Sequence, residues 1–234
     1  MLKVCLNGGR TREECPVVPV TPDALAADAA RCAALGAAAA HVHPRDGAGQ
    51  ETLDPIAVAA TLDALRAAAP AMPLGVSTGA WIEPHSAARA AAVRSWTVLP
   101  DFASVNAHEP GAEELAAALY ERGVGVEAGL WTVEAVRRYR AWRVPVIRVL
   151  IECMAPDPPT ALADASRMLA ELPPANPPVL LHAEGPATWT VLRDAVRRGL
   201  DTRVGLEDTL VLPDGSPADG NAALVAAAVA LGAT

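Results

Sequence analysis

The chain has 234 residues, 52% of them hydrophobic and 20% charged, enough for one sizeable core. Its formal net charge of −8, without any block of Lys or Arg, provides no basic face for a phosphate backbone, which argues against nucleic acid and for a small-molecule partner. The 4 cysteines lack CxxC spacing, which argues against a zinc ribbon or a disulfide framework, and they read as buried thiols.

The opening "MLKVCLNGG" runs straight into a strand, with no apolar leader and no run long enough to span a bilayer, so a cytoplasmic protein without membrane contact is expected. From there, short β-branched runs alternate with Ala- and Leu-rich segments of helical period. Strands are predicted at 3–8, 38–43, 73–78, 102–106, 125–130, 147–152, 178–183 and 202–207, each apolar up to a polar residue at its C-terminal end. The helix predicted over 21–36 has Thr21 as N-cap, Pro22 at its first position, Asp23 in its first turn and Gly36 as its stop. Segments 54–70 and 110–125 repeat that grammar. Eight such βα units predict a single-domain (β/α)8 TIM barrel over residues 1–234, with chemistry at the C-terminal strand ends. A doubly wound open sheet is the alternative, but no GxGxxG follows a strand.

The strand ends then carry the functional reading. In "HVH", His41 and His43 share a strand face, roughly 7 Å apart at the usual rise per residue, so both can lean onto one ion. A lone buried histidine is more often a hydrogen-bonded core residue; a carboxylate from another strand end would complete a zinc site with an open position. Glu127, at the end of the fifth predicted strand, is the candidate general base, because an acid in an apolar barrel mouth has its pKa raised toward working pH. Glu152 reads either as a mouth acid or as the partner of a basic residue, and His182, at the seventh strand's end, is ambiguous, a supporting or substrate-contacting role being the minority reading. His85 and His108 are expected in loops, and the five tryptophans are expected to pack helices against the barrel.

The motifs "LNGGRT", "CPVVPVTPDALAADA", "HVHPRDG", "GVSTGA", "PDFASVN" and "RVGLEDTL" occur in the order found in the β-keto acid cleavage enzymes, and the chain resembles that family over nearly its whole length. The resemblance implies a zinc-dependent barrel that converts a β-keto acid and acetyl-CoA, its co-substrate, into acetoacetate and a new acyl-CoA. It implies His41, His43 and Glu207 as metal ligands, and Ser77 as a serine activated by Arg203 and Asp208. It places Ser104, Asn106, Ala80 and Gly9 at the substrate, alongside Glu207, and makes a homo-oligomer plausible. Gly9 stands where a relative acting on an amino-substituted acid has a carboxylate, so an uncharged or anionic tail is expected, with Arg10 as a possible partner and Glu152 or Glu184 as compensating acids. Glu207 and Asp208 are adjacent, so both reach one site only if the strand ends or bends there. A metal-dependent hydrolase or aldolase that does not use coenzyme A is the rival reading, and a non-catalytic metal-bound sensor the third.

Overall fold

The computed structural model describes residues 1–175 and 177–234. Eight strands, β1 (Leu2–Cys5), β2 (Ala39–Val42), β3 (Leu74–Ser77), β4 (Phe102–Asn106), β5 (Gly125–Leu130), β6 (Arg148–Cys153), β7 (Val179–Ala183) and β8 (Thr202–Val204), pair in parallel in the order β7-β6-β5-β4-β3-β2-β1-β8. A parallel bridge between Leu180 and Asp201, with the Leu181 N–H donating to the Asp201 carbonyl at 2.9 Å, brings β7 against the start of β8. The sheet thus curls into a nearly closed (β/α)8 barrel. An open doubly wound sheet would reverse its strand order partway, and this one does not.

The helices are α1 (Pro22–Ala34), α2 (Pro55–Ala68), α3 (Ser86–Ser95), α4 (Ala112–Glu121), α5 (Val133–Tyr139), α6 (Pro158–Glu171), α7 (Thr188–Arg198) and α8 (Asn221–Ala230). Their ends follow the local chemistry read from the sequence. The Thr21 hydroxyl accepts from the Ala24 N–H, Asp54 accepts from Ile56 and Ala57, and Gly36 leaves α1 at φ +106°. Helix α4 starts at Ala112, after Gly111 takes φ +71°.

Leu25, Leu62, Leu65, Val93, Leu115 and Leu119 are fully or almost fully buried on the helices and pack against outward-facing strand residues such as Val4, Val42 and Val76. The inside of the barrel is partly charged. Lys3 Nζ donates to Glu127 Oε2 at 2.6 Å and Arg148 Nη1 to Glu127 Oε1 at 2.5 Å, while the Phe102 ring fills the space left by Gly75, where a Cβ would come within 1.9 Å of it. All 4 cysteines are free and buried. Among the described residues, no helix is long and apolar enough to cross a membrane.

Candidate active site

His41 lies in β2, with its carbonyl held by the Leu6 N–H at 3.0 Å, and His43 follows just past the strand's end. Their rings meet edge to face at 5.1 Å between centroids, and their Nε2 atoms are 3.2 Å apart. Glu207 Oε2 lies 3.5 Å from His43 Nε2. Around a tetrahedral ion with bonds of about 2.0–2.1 Å, neighbouring ligand atoms stand about 3.3–3.4 Å apart, so these spacings are those of ligands around one cation. The buried Glu207 Oε2 has no hydrogen-bond donor, and two imidazole nitrogens face each other, so the donor set is one cation short. His41, His43 and Glu207 therefore fit a divalent metal with a position left open.

Each ligand is braced from behind. The Asn7 amide grips the His43 backbone at both ends, donating to its carbonyl at 2.9 Å and accepting from its N–H at 2.9 Å. Glu51 Oε1 meets His43 Nδ1 at 2.5 Å and holds a proton there, so when His43 is neutral it is Nε2 that offers its lone pair to the site. The same oxygen accepts from Trp81 Nε1 at 3.1 Å, and the Trp81 ring stacks on His43 at 6.3 Å. A tight excursion delivers Glu51. Asp46 Oδ1 accepts from the N–H groups of Ala48 and Gln50, Gly49 turns at φ +80°, and Thr52 N–H returns to the Pro44 carbonyl at 3.0 Å. Asn7 is one of the strand-end polar residues expected to converge here, whereas the sequence reading gives Glu51 no role; the available signal is the "DGAGQE" turn, which folds a carboxylate back onto the histidine strand.

Glu207 and Asp208 reach the same place because β8 stops at Val204, short of the predicted end at 207. The N–H groups of Asp208 and Thr209 both close onto the Gly205 carbonyl, at 2.9 and 3.0 Å, which turns the chain. Arg203 sits between the two acids, donating from Nη2 to Glu207 Oε1 at 2.9 Å and to Asp208 Oδ1 at 2.7 Å.

This crowding sets the protonation states. Burial pushes Glu207 up, but Arg203 and His43 outweigh it and hold the carboxyl well below its usual range. Burial lowers His43, yet the Glu207 and Glu51 carboxylates win and raise it to about 9, while burial keeps His41 well below its usual value. Asp208 is pushed up to about 8 by burial and by Glu207 and Glu184, against Arg203. Glu184 is pushed up to about 7 by burial and its neighbours Glu152 and Glu207. A metal entering this site must displace the His43 proton. Its apparent affinity is therefore expected to rise about tenfold per pH unit below about 9 and to level off above, releasing one proton per ion. Chelator competition from pH 6.5 upward measures the slope, and a flat profile contradicts the assignment.

The site opens into a cavity of about 370 Å³ lined by His41, His43, Glu207, Ser77, Ser104, Asn106, Arg203 and Gly9, which the fold thus brings together. Asp208 is fully buried behind Arg203 and does not line the cavity, although its carboxylate lies within 4.8 Å of those of Glu184 and Glu207, which do. Ala80 lies outside the lining; its N–H donates at 3.0 Å to Glu109 Oε1, the oxygen that also holds Asn106 Nδ2 at 2.9 Å. Gly129 makes room for that amide, since a Cβ there would stand 2.4 Å from Asn106 Oδ1.

Glu127 departs from its expected role as base. It is fully buried, does not line the cavity, and has both oxygens committed to Lys3 and Arg148. Trp81 and Trp131 also depart from expectation, forming one wall of the cavity with ring centroids 6.4 Å apart. Trp96 and Trp189 do pack inside, donating to the carbonyls of Leu53 and Val211, and Trp142 packs against Tyr139. His182 is buried between Glu152, at 3.4 Å, and Asp208, at 3.8 Å. Glu152 lines the cavity as an acid, and its neighbour His182 is kept neutral by burial, which holds it well below its usual pKa. Arg10 turns its guanidinium to backbone carbonyls, and Glu51 Oε2 lies 3.2 Å from where a Gly9 Cβ would stand, so a carboxylate already faces the space Gly9 leaves.

Comparison with known proteins gives one sequence family and one fold. A sequence model of the beta-keto acid cleavage enzymes matches residues 1–234. No curated protein matches significantly. Among solved structures, the binary complex of ObcA with oxaloacetate superposes with a TM-score of 0.66 at 21% identity, covering 94% of this chain and 65% of that one. The ternary complex of ObcA with a C4-CoA adduct and oxalate gives 0.69 at 20% identity, with 94% and 65% coverage. The 3-dehydroquinate dehydratase of Geobacillus kaustophilus HTA426 gives 0.62 at 13% identity, with 96% and 89% coverage. At such identities the likeness is one of fold, and the chain spans 65% of the length of the two ObcA structures.

Proposed function

The chain belongs to the beta-keto acid cleavage enzyme family, and from that premise we propose that it is a zinc-dependent acyltransferase acting on a β-keto acid and acetyl-CoA. The observation that carries the reading is the open three-ligand pocket of His41, His43 and Glu207, facing Ser77, Asn106 and Arg203 at the C-terminal strand ends. The ObcA complexes with oxaloacetate and with a C4-CoA adduct support pairing a keto acid with coenzyme A.

In the proposed exchange, the keto acid loses a proton from C2 and its C2 bonds to the acetyl carbonyl carbon as the coenzyme A thiolate leaves. The thiolate then attacks the original ketone carbon, the bond from that carbon to C2 breaks, and C2 regains a proton. The products are acetoacetate and the new acyl-CoA. A divalent ion in the pocket would supply Lewis-acid polarisation of the keto acid's oxygens. Arg203 keeps Glu207 ionised and oriented, and adds fixed positive charge beside the reacting oxygens. Glu184 lines the cavity with a pKa raised to about 7, poised between its two states near neutral pH, and so replaces Glu127 as the candidate to take and return the C2 proton. Asp208, behind Arg203, accepts from its Nε and Nη2 and would act on the Ser77 side of the cavity by orienting that guanidinium.

The test incubates the metal-loaded protein with a series of β-keto acids and acetyl-CoA and follows acetoacetate and acyl-CoA together. Equal amounts of both support the proposal, and turnover without coenzyme A identifies a hydrolase or aldolase instead. Ser77→Ala is expected to lower kcat about 100-fold or more with metal content unchanged, because a hydroxyl that takes part in proton transfer is lost while the ligands stay. Metal analysis beside steady-state kinetics checks it, and wild-type kcat removes Ser77 from the chemistry.

A further inference from the structure

The ligands of the pocket come from two separate segments, His41 and His43 on β2 and its extension, and Glu207 on the turn after β8, with the β1 loop running between them. No backbone ladder joins β2 to β8, since β1 separates them. Two arginine side chains span the gap. Arg45, two residues past His43, donates from Nη2 to the carbonyls of Gly8 and Arg10. Arg10 donates from Nε to the Leu206 carbonyl at 2.5 Å and from Nη2 to the Glu207 carbonyl at 3.2 Å. From the other side, the Leu206 N–H is held by Asn221 Oδ1 at 2.7 Å.

We infer that Arg10 is a positioning residue for the metal pocket: gripped by Arg45, it fixes the Leu206–Glu207 peptide so that the Glu207 carboxylate meets the two histidines. Two of its nitrogens, Nε and Nη2, are engaged with these carbonyls, while the side chain also lines the cavity. The inference rests on the proposed metal reading of His41, His43 and Glu207.

The sign of one measurement separates positioning from charge. A guanidinium close to a cation site repels the cation, so if its charge were its only influence, deleting Arg10 would tighten metal binding. If it positions the ligand, deletion weakens binding by about tenfold to a hundredfold, the range for lost outer-sphere support of a metal ligand. The experiment measures zinc affinity by chelator competition for wild type, Arg10→Ala, Arg10→Lys and the exposed control Arg12→Ala, with thermal unfolding of each metal-free protein alongside. We expect Arg10→Ala to bind zinc at least about tenfold more weakly, Arg10→Lys to recover part of the loss through one carbonyl contact, and Arg12→Ala to match wild type. Equal or tighter binding by Arg10→Ala overturns the positioning role alone, and a wild type that binds no zinc overturns the metal reading with it. Should Arg10→Ala fail to fold, Arg10→Lys decides: affinity equal to wild type overturns the inference.

Discussion

The double substitution His41→Ala/His43→Ala is expected to abolish stoichiometric metal and to lower kcat/KM by about a thousandfold or more, since Lewis-acid stabilisation is worth several kcal/mol and each ~1.4 kcal/mol is tenfold. Both imidazoles present Nε2 to the same point, 3.2 Å apart, so removing them leaves Glu207 as the sole remaining ligand of the three. The fold is expected to survive. The histidines sit at the C-terminal rim of β2, whereas its ladder to β1 and β3 is made by the backbone, and alanine leaves that intact. Losing His43 also frees Glu51, which can turn to solvent through the cavity mouth or stay on Trp81. Metal analysis and kinetics on the folded variant form the check. Undiminished metal would move the site off this strand, and undiminished activity would remove metal from the reaction.

Much of this was legible in the sequence because it is local. Strand and helix periodicity, the caps at Thr21 and Asp54, and the shared face of His41 and His43 all follow from spacings of a few residues. What escaped depends on partners far apart in the chain. Glu127 ends an apolar run and reads as a mouth acid, but Lys3, 124 residues away, and Arg148 on the next strand consume both of its oxygens. Glu184 acquires its proton affinity first from burial in the folded barrel and then from Glu152 and Glu207, which lie on other strands or turns, so no window of sequence around it could disclose the shift. Trp81 and Trp131 look like packing residues by composition, whereas in the fold Trp81 stacks on His43 and Trp131 lies against Trp81. The carbonyl partners of Arg10 were hidden for the same reason: they belong to a turn nearly 200 positions later, at Leu206 and Glu207.

Gly205→Ala is expected to cost ~3 kcal/mol or more of stability and, in the molecules that still fold, to weaken metal binding. A Cβ on Gly205 would stand 1.9 Å from the Cys5 carbonyl oxygen and 2.6 Å from its carbon, both backbone atoms that no rotamer change can move aside. Cys5 is itself fixed, because β1 is paired to β2 on one flank, with Cys5 opposite His41, and to β8 on the other. The clash must therefore be relieved by parting β8 from β1, and overpacking of this kind in a filled core costs 1–3 kcal/mol or occasionally more. For a chain of this size, ~3 kcal/mol lowers Tm by about 6–12 °C. Gly205 also supplies the carbonyl that turns the chain for Glu207 and Asp208, so the displacement is transmitted to the ligand and to the Arg203 pair. Gly47→Ala provides the comparison, since a Cβ there meets nothing within 4 Å, and its Tm should match wild type. A Gly205→Ala protein melting within about 2 °C of wild type would show that β1 and β8 yield more easily than their pairing implies. Normal stability with lost metal would place the strain entirely in the turn.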